Sequence, residues 1–265
     1  MYTFKSRIRY SETDASGTLS VTGIVNYLQD CSTFHSEDRG VGVEYLQREH
    51  KMWMLTSWKI EIIRQPRLGE FITVGTWPYA FKGIYGFRNF VIWDEQDREL
   101  VRADSVWFLC DTETGRPIRV QEADVAAYGK EEPRLDMEPM PRKIVLPTDY
   151  EEGSPVVVST HHLDTNHHVN NAQYIEIAKE AWNHSEPIRD IRVEYKKQAV
   201  LGDILIPHIG RQAKEDVVAL CSAEGQPYAV VTFVCDESAE RTDTGRGVQA
   251  SASKNVQEEQ YGRKR

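Results

Sequence analysis

Apolar residues recur at helical spacing in two stretches of the chain. Val21, Ile24, Val25, Leu28, Cys31 and Phe34 fall roughly on one helical face, and Tyr174, Ile175, Ala178, Ala181 and Trp182 repeat the pattern. Each predicts a long helix. Runs rich in Trp, Tyr, Phe, Val and Ile follow each helix, and no second long helix intervenes. They predict strands over Met52–Arg64, Phe71–Phe81, Ile84–Asp94 and Leu100–Asp111, then over Ile188–Lys197, Ile204–Gly210, Val217–Cys221 and Tyr228–Cys235. A helix followed by consecutive antiparallel strands is an α+β pattern, with the sheet curling around the helix.

The two halves echo one another. Asp14, Ser16 and Thr18 stand 150 positions before Asp164, Asn166 and His168, and each segment runs into its predicted helix. A second echo pairs Ile60-Glu-Ile-Ile-Arg-Gln-Pro-Arg-Leu-Gly69 with Val193-Glu-Tyr-Lys-Lys-Gln-Ala-Val-Leu-Gly202, at an offset of 133. One duplication accounts for both. The difference of 17 predicts a longer connection in the first copy, within Glu37 to Trp53. The expected organisation is a first repeat over 1–125, a linker over 126–154, a second repeat over 155–236 and a disordered tail over 237–265. Prolines and acidic residues crowd the linker, and they disfavour sheet pairing and favour solvent. The tail has no Leu, Ile, Met, Phe or Trp with which to offset chain entropy.

Composition adds limits. A formal charge of −9 argues against a broad nucleic-acid surface but leaves room for a local basic patch. No apolar run approaches the ~18 residues that span a bilayer. The opening residues lack the apolar core of a signal peptide, so a cytoplasmic protein is expected. Cys31, Cys110, Cys221 and Cys235 form no CxxC and read as buried free thiols.

The chemistry concentrates in Leu163-Asp-Thr-Asn-His-His-Val-Asn-Asn171. On an extended stretch Asp164, Asn166 and His168 alternate and converge on one pocket. A carboxylate, an amide and an imidazole together bind a carbonyl, orient a water and shuttle a proton. The amides of Val169, Asn170 and Asn171, at the start of the second helix, are candidate oxyanion donors. Asp, Asn and His before a helix also serve as caps and turn formers, and Asn170 fits a cap best. His161 and His162 are adjacent and face apart on a strand. A zinc site here lacks a Cys or a second His cluster to complete it, so neither metal nor cofactor is expected.

This segment resembles the Asp-x-Asn-x-His-Val-Asn-Asn signature of acyl-acyl-carrier-protein thioesterases. Arg192-Val-Glu-Tyr-Lys-Lys-Gln198 with Leu201-Gly-Asp203 resembles that family's second catalytic strand, and Tyr10-Ser-Glu-Thr-Asp-Ala-Ser-Gly17 its first repeat. The likeness covers roughly residues 3 to 236. It implies a tandem (double) hotdog, and hydrolysis of the thioester between a fatty acyl chain and the phosphopantetheine of acyl carrier protein. It also implies catalysis in the second repeat and much of the acyl pocket in the first. Val21, Ile24, Val25 and Leu28, with Trp53, Met54 and Trp58, are candidates for that pocket, against a reading as plain core. Arg192, Lys196 and Lys197 are candidates for docking the acidic carrier, against a reading as solvated surface.

One departure changes the expected chemistry. The family's Glu-Cys pair is replaced by Gln198 and Ala199. No cysteine nucleophile is available there, and Gln198 can orient water but cannot act as a base. His168 or Asp164 is left as the base, with Glu194 as a fallback. Two other functions stay open: a thioesterase for coenzyme A thioesters, and a non-catalytic acyl-thioester-binding protein. A hotdog dehydratase lacks a second Asp/His pair. Fused repeats can supply the pairing that single hotdogs obtain by dimerising, so the chain reads as a monomer or a homodimer.

Overall fold

The computed structural model describes residues 1–235 except 131, 141, 142 and 213. The expected tail over 237–265 lies outside the described residues. The first repeat comprises β1 (Tyr2–Arg7), α1 (Val21–Asp38), α2 (Val43–Arg48), β2 (Lys51–Ile62), β3 (Phe71–Lys82), β4 (Tyr85–Trp93) and β5 (Glu99–Asp111). The short α3 (Glu122–Val125) follows it. The second comprises β7 (Val156–Val157), α4 (Asn171–Trp182), β8 (Ile188–Tyr195), β9 (Ile204–Gln212), β10 (Glu215–Cys221) and β11 (Pro227–Cys235), with β6 (Glu151–Glu152) just ahead of it. All eight predicted strands form, within a few residues at each end. The extra residues of the first copy hold α2, inside the predicted interval.

The two repeats share one sheet, in the order β1-β3-β4-β5-β2-β8-β11-β10-β9-β6. The joint is the antiparallel pair β2–β8. On the helix side Trp58 meets Val193 and Ile60 meets Ile191, all fully or almost fully buried. The long helices lie side by side against this face, so that both halves contribute to one apolar core. This is the tandem hotdog. α4 stops six residues short of the length of α1, at Asn183, whose left-handed φ of 49° ends the helix.

The opposite face of the joint is polar. Lys59 lies beside Arg192 and Glu61 beside Asp190, like charges directly opposite one another. Lateral partners offset this: Glu61 binds Lys59 and Arg102, Arg192 binds Glu215, and Arg189 binds Asp190. The linker covers part of this face rather than standing in solvent. Pro133 O accepts from Trp77 Nε1, Arg134 pairs with Asp104 at 2.9 Å, and Met137 is buried. Glu151 and Glu152 pair with β9, so acidic residues expected to avoid the sheet extend its edge, where one strand side faces solvent.

The joint carries the fold, so Ile60→Ala should cost about 2–5 kcal/mol. Urea titration should show a lower midpoint with an unchanged slope.

Candidate active site

The signature segment is a tight turn and not the extended stretch expected. Asp164 N–H donates to His168 O at 2.8 Å and His167 N–H to Asp164 O at 3.1 Å, while Leu163 bridges Val169. Asp164 Oδ1 accepts the N–H groups of Asn166 at 2.8 Å and His168 at 3.3 Å. The carboxylate therefore shapes the loop through its backbone and does not touch the imidazole. A carboxylate collecting local amides is a more compact solution than extension, because it satisfies donors that a strand would leave unpaired.

The first repeat folds the same turn. Asp14 N–H donates to Thr18 O, and Asp14 Oδ1 accepts from the Ser16 amide and hydroxyl and, at 3.5 Å, from the Thr18 hydroxyl. Gly17 occupies the left-handed corner with φ 76°. Its counterpart His167 has φ 61°, a conformation that costs a residue with a Cβ roughly 1–2 kcal/mol. A turn of 3-10 helix precedes each loop, Tyr10–Glu12 and Thr160–His162. His161 and His162 thus do not face apart on a strand. Their rings lie 4.1 Å apart, and His162 Nδ1 accepts the Ser159 N–H.

The oxyanion assignment is corrected in detail. Val169 N–H donates to Ala199 O at 2.9 Å and Asn170 N–H to His162 O at 2.8 Å, so neither is open to a ligand. Asn170 is the helix cap, its Oδ1 accepting the Ala172 N–H at 2.9 Å. Only the Asn171 amide of the three has no partner among the described residues. Three residues missed by the sequence reading hold this corner. Tyr195 Oη donates to Asn171 O at 3.0 Å, Tyr174 Oη accepts the Ala199 N–H at 2.8 Å, and Gln29 on α1 contacts both asparagines. Burial raises both tyrosine pKa values, Tyr174 to about 12, so both hydroxyls stay neutral. No spacing signal tied these residues to the turn.

His168 is half-buried, and its Nδ1 is enclosed without a hydrogen-bond partner among the described residues. Gln198 is exposed just beyond β8, and Ala199, at the position of the family's cysteine, is fully buried. Glu194 is committed elsewhere: it pairs with Lys196 and accepts the Ile144 N–H from the linker, which removes it as a fallback base. The docking candidates are also occupied. Arg192 pairs with Glu215, Lys196 with Glu194, and Lys197 lies 5.0 Å over the Tyr228 ring.

A cavity of about 480 Å³ runs from the signature turn into the first repeat. Thr165 and Asn166 line it beside Ser36 of α1, Leu46 of α2, Trp53 of β2 and Phe81 of β3. Trp53 was anticipated. Val21, Ile24, Val25, Leu28 and Trp58 were not placed correctly: all five are buried in the core and none lines the cavity. The wall instead uses the last turns of α1 and the inserted α2. The second repeat lacks both, its helix having ended at Trp182. Arg88 also lines the cavity, 8 % exposed and without a carboxylate partner among the described residues. Its Nη1 donates to His35 Nδ1 at 3.1 Å and to Thr76 Oγ1 at 3.2 Å, and its guanidinium lies 5.2 Å over the Tyr128 ring. Burial, aided by the charge of Arg88, lowers the His35 pKa to about 3 and keeps that ring neutral.

Two family models match the chain. They are the acyl-ACP thioesterase N-terminal domain over residues 1–128 and the acyl-ACP thioesterase C-terminal domain over residues 147–225. An acyl-[acyl-carrier-protein] hydrolase of Cuphea viscosissima is 26% identical over 216 residues, covering 75% of this chain and 51% of that protein. The oleoyl-acyl carrier protein thioesterase of Coriandrum sativum is 25% identical over 236 residues, covering 81% of this chain and 64% of that protein. The chain spans about half the length of the curated relatives it matches. The crystal structure of an acyl-ACP thioesterase from Bacteroides thetaiotaomicron superposes with a TM-score of 0.79 at 23% identity, covering 88% of this chain and 97% of that one. At that identity the likeness speaks to the fold.

Two outcomes follow from this geometry. Gly17→Val should destabilise by about 1–2 kcal/mol in urea titrations, whereas His167→Gly, which removes a Cβ that already carries this cost, should not destabilise. For His35, the unfolded chain binds a proton below its ordinary pKa of about 6.5 that the folded chain refuses until about 3. Stability should therefore fall as pH drops through that window, and His35→Gln should flatten this part of the acid limb.

Proposed function

The chain belongs to the acyl-ACP thioesterase family, and from that premise we propose that it hydrolyses the thioester between a fatty acyl chain and the phosphopantetheine of acyl carrier protein. Free fatty acid leaves and chain extension ends. The observation that carries this reading is the shared cavity: Thr165 and Asn166 of the second repeat's turn line a pocket built otherwise from the first repeat and Tyr128. An acyl chain seated there brings its thioester carbonyl to the turn. In this reading residues 1–125, with Tyr128 of the 126–154 linker, supply the pocket, and the second repeat over 155–236 supplies the chemistry.

Hydrolysis needs a polarised carbonyl, an activated water and a protonated leaving group. The uncommitted Asn171 amide, at the positive end of α4, and the Asn166 side chain hold the developing oxyanion. His168 takes a proton from water as its oxygen attacks the carbonyl carbon. The tetrahedral intermediate then collapses, the carbon–sulfur bond breaks, and the proton passes from His168 to the thiolate. Asp164 keeps the turn in register. Gln198 orients the water. This assignment needs no cysteine, in keeping with the buried Ala199. The four free cysteines, three of them buried, support a reducing, cytoplasmic setting. Among the described residues, no helix is long and apolar enough to cross a membrane.

The ion pairs of Arg192 and Lys196 favour a second reading, in which coenzyme A is the carrier. Neither side chain is then needed as a dock for an acidic protein.

Free-acid release from acyl carrier protein and coenzyme A thioesters of graded chain length tests both. His168→Ala should lower kcat by about 10²–10⁴-fold while the protein stays folded, and Thr18→Ala should change little. Comparable losses from both would place the chemistry in the wrong repeat. Leu46→Trp, narrowing the cavity, should shift release toward shorter acids; Val25→Ala should lower stability without that shift. Binding of acyl thioesters without release by the wild type would mark the chain as a binding protein.

A further inference from the structure

We infer that Gln29, on the helix of the first repeat, is a positioning residue for the active turn of the second. The inference rests on the thioesterase reading above.

Gln29 is half-buried where α1 meets the first turn of α4. Its Oε1 accepts from Asn171 Nδ2 at 2.9 Å, and its Nε2 donates to Asn170 Oδ1 at 3.4 Å. The same Asn170 oxygen caps α4 through the Ala172 amide. Tyr195 holds the Asn171 carbonyl from β8. Asn171 is therefore tied at its side chain by one repeat and at its carbonyl by the other. Its N–H is left without a partner among the described residues, two residues on from Val169 and three from His168. A donor stabilises an oxyanion in proportion to how fully it is oriented before charge develops. Gln29 supplies that orientation by restraining the rotation of the residue that carries the amide.

The arrangement is one-sided. The residue 150 positions after Gln29 is Lys179, and the residue 150 before Asn171 is Val21. Among the described residues, the first repeat's turn has no such clasp on its cap Ser20 or on Val21. The two helices are linked instead by Thr22 and Glu176. The clasp is present only where Asn166 and His168 are present, and absent where Ser16 and Thr18 replace them.

The test uses the full chain and reads kcat and KM for acyl-carrier-protein thioesters together with Tm. Gln29→Leu should lower kcat about tenfold or more, with KM within about twofold and Tm little changed. Gln29→Glu keeps an acceptor for Asn171 Nδ2 and should recover part of the loss. In the double mutant with Asn171→Ala, kcat should be no lower than in the worse single mutant, since both remove one device. An unchanged kcat in Gln29→Leu, fully additive losses, or a kcat that only tracks a fall in Tm would overturn the inference. Should Gln29→Leu not fold, the partial loss in Gln29→Glu decides in the same way. If the wild type releases no acid from either carrier, the thioesterase reading falls, and the clasp is judged by NMR. Faster hydrogen exchange and a shift of the Asn171 side-chain amide in Gln29→Leu would support it, and unchanged resonances would sink it.

Discussion

Everything distinctive about this molecule depends on the pairing of β2 with β8. Those two strands turn two helix-and-sheet units into one continuous sheet, with Trp58 against Val193 and Ile60 against Ile191 beneath the helices. The apolar area they bury is removed from water only if both halves are folded, so the halves stabilise one another. The pairing also sets α1 beside α4. From that adjacency come the reach of Gln29 to the α4 terminus and the opening of the first repeat's cavity at the second repeat's turn.

Within this frame the repeats have kept their shape and differ in their side chains and in the length of the first helix. Both retain the carboxylate that gathers the turn, Asp14 and Asp164, and both retain the left-handed corner. The second has an amide and an imidazole where the first has two hydroxyls. The first has a longer helix and the inserted α2, which enclose a cavity that the shorter α4 cannot wall. Neither half has both the pocket and the polar turn. This is the physical content of the family's two-domain arrangement in this chain.

The second turn and the cavity wall carry local costs to stability. His167 takes a backbone conformation suited to glycine, and, among the described residues, His168 Nδ1 is enclosed without a partner and Arg88 is buried without a carboxylate. Strain, an unsatisfied nitrogen and an uncompensated charge each lower stability locally, and they persist because the surrounding core holds them. Arg88 lines the cavity, and His167 and His168 stand in the turn whose Thr165 and Asn166 reach it.

Period and composition determined most of the fold. Helical spacing from Val21 and Tyr174, and β-rich runs between turn signals, placed two helices and eight strands, because burial of one face imposes those periods locally. The offsets of 150 and 133 exposed the duplication and the insertion, and the echo of Asp14-Ser16-Thr18 marked Asp164, Asn166 and His168. What the chain could not show locally was decided by tertiary structure. Val21, Ile24, Val25, Leu28 and Trp58 look the same in sequence whether they line a pocket or fill a core. Only packing places them in the core and puts Leu46, Trp53 and Phe81 on the cavity. The amides of Val169 and Asn170 look available until Ala199 and His162 bring carbonyls to them, and Arg192 looks free until Glu215 arrives from β10. A hydrogen bond or an ion pair needs its partner within about 3–4 Å, and in a folded chain that partner is often remote in sequence.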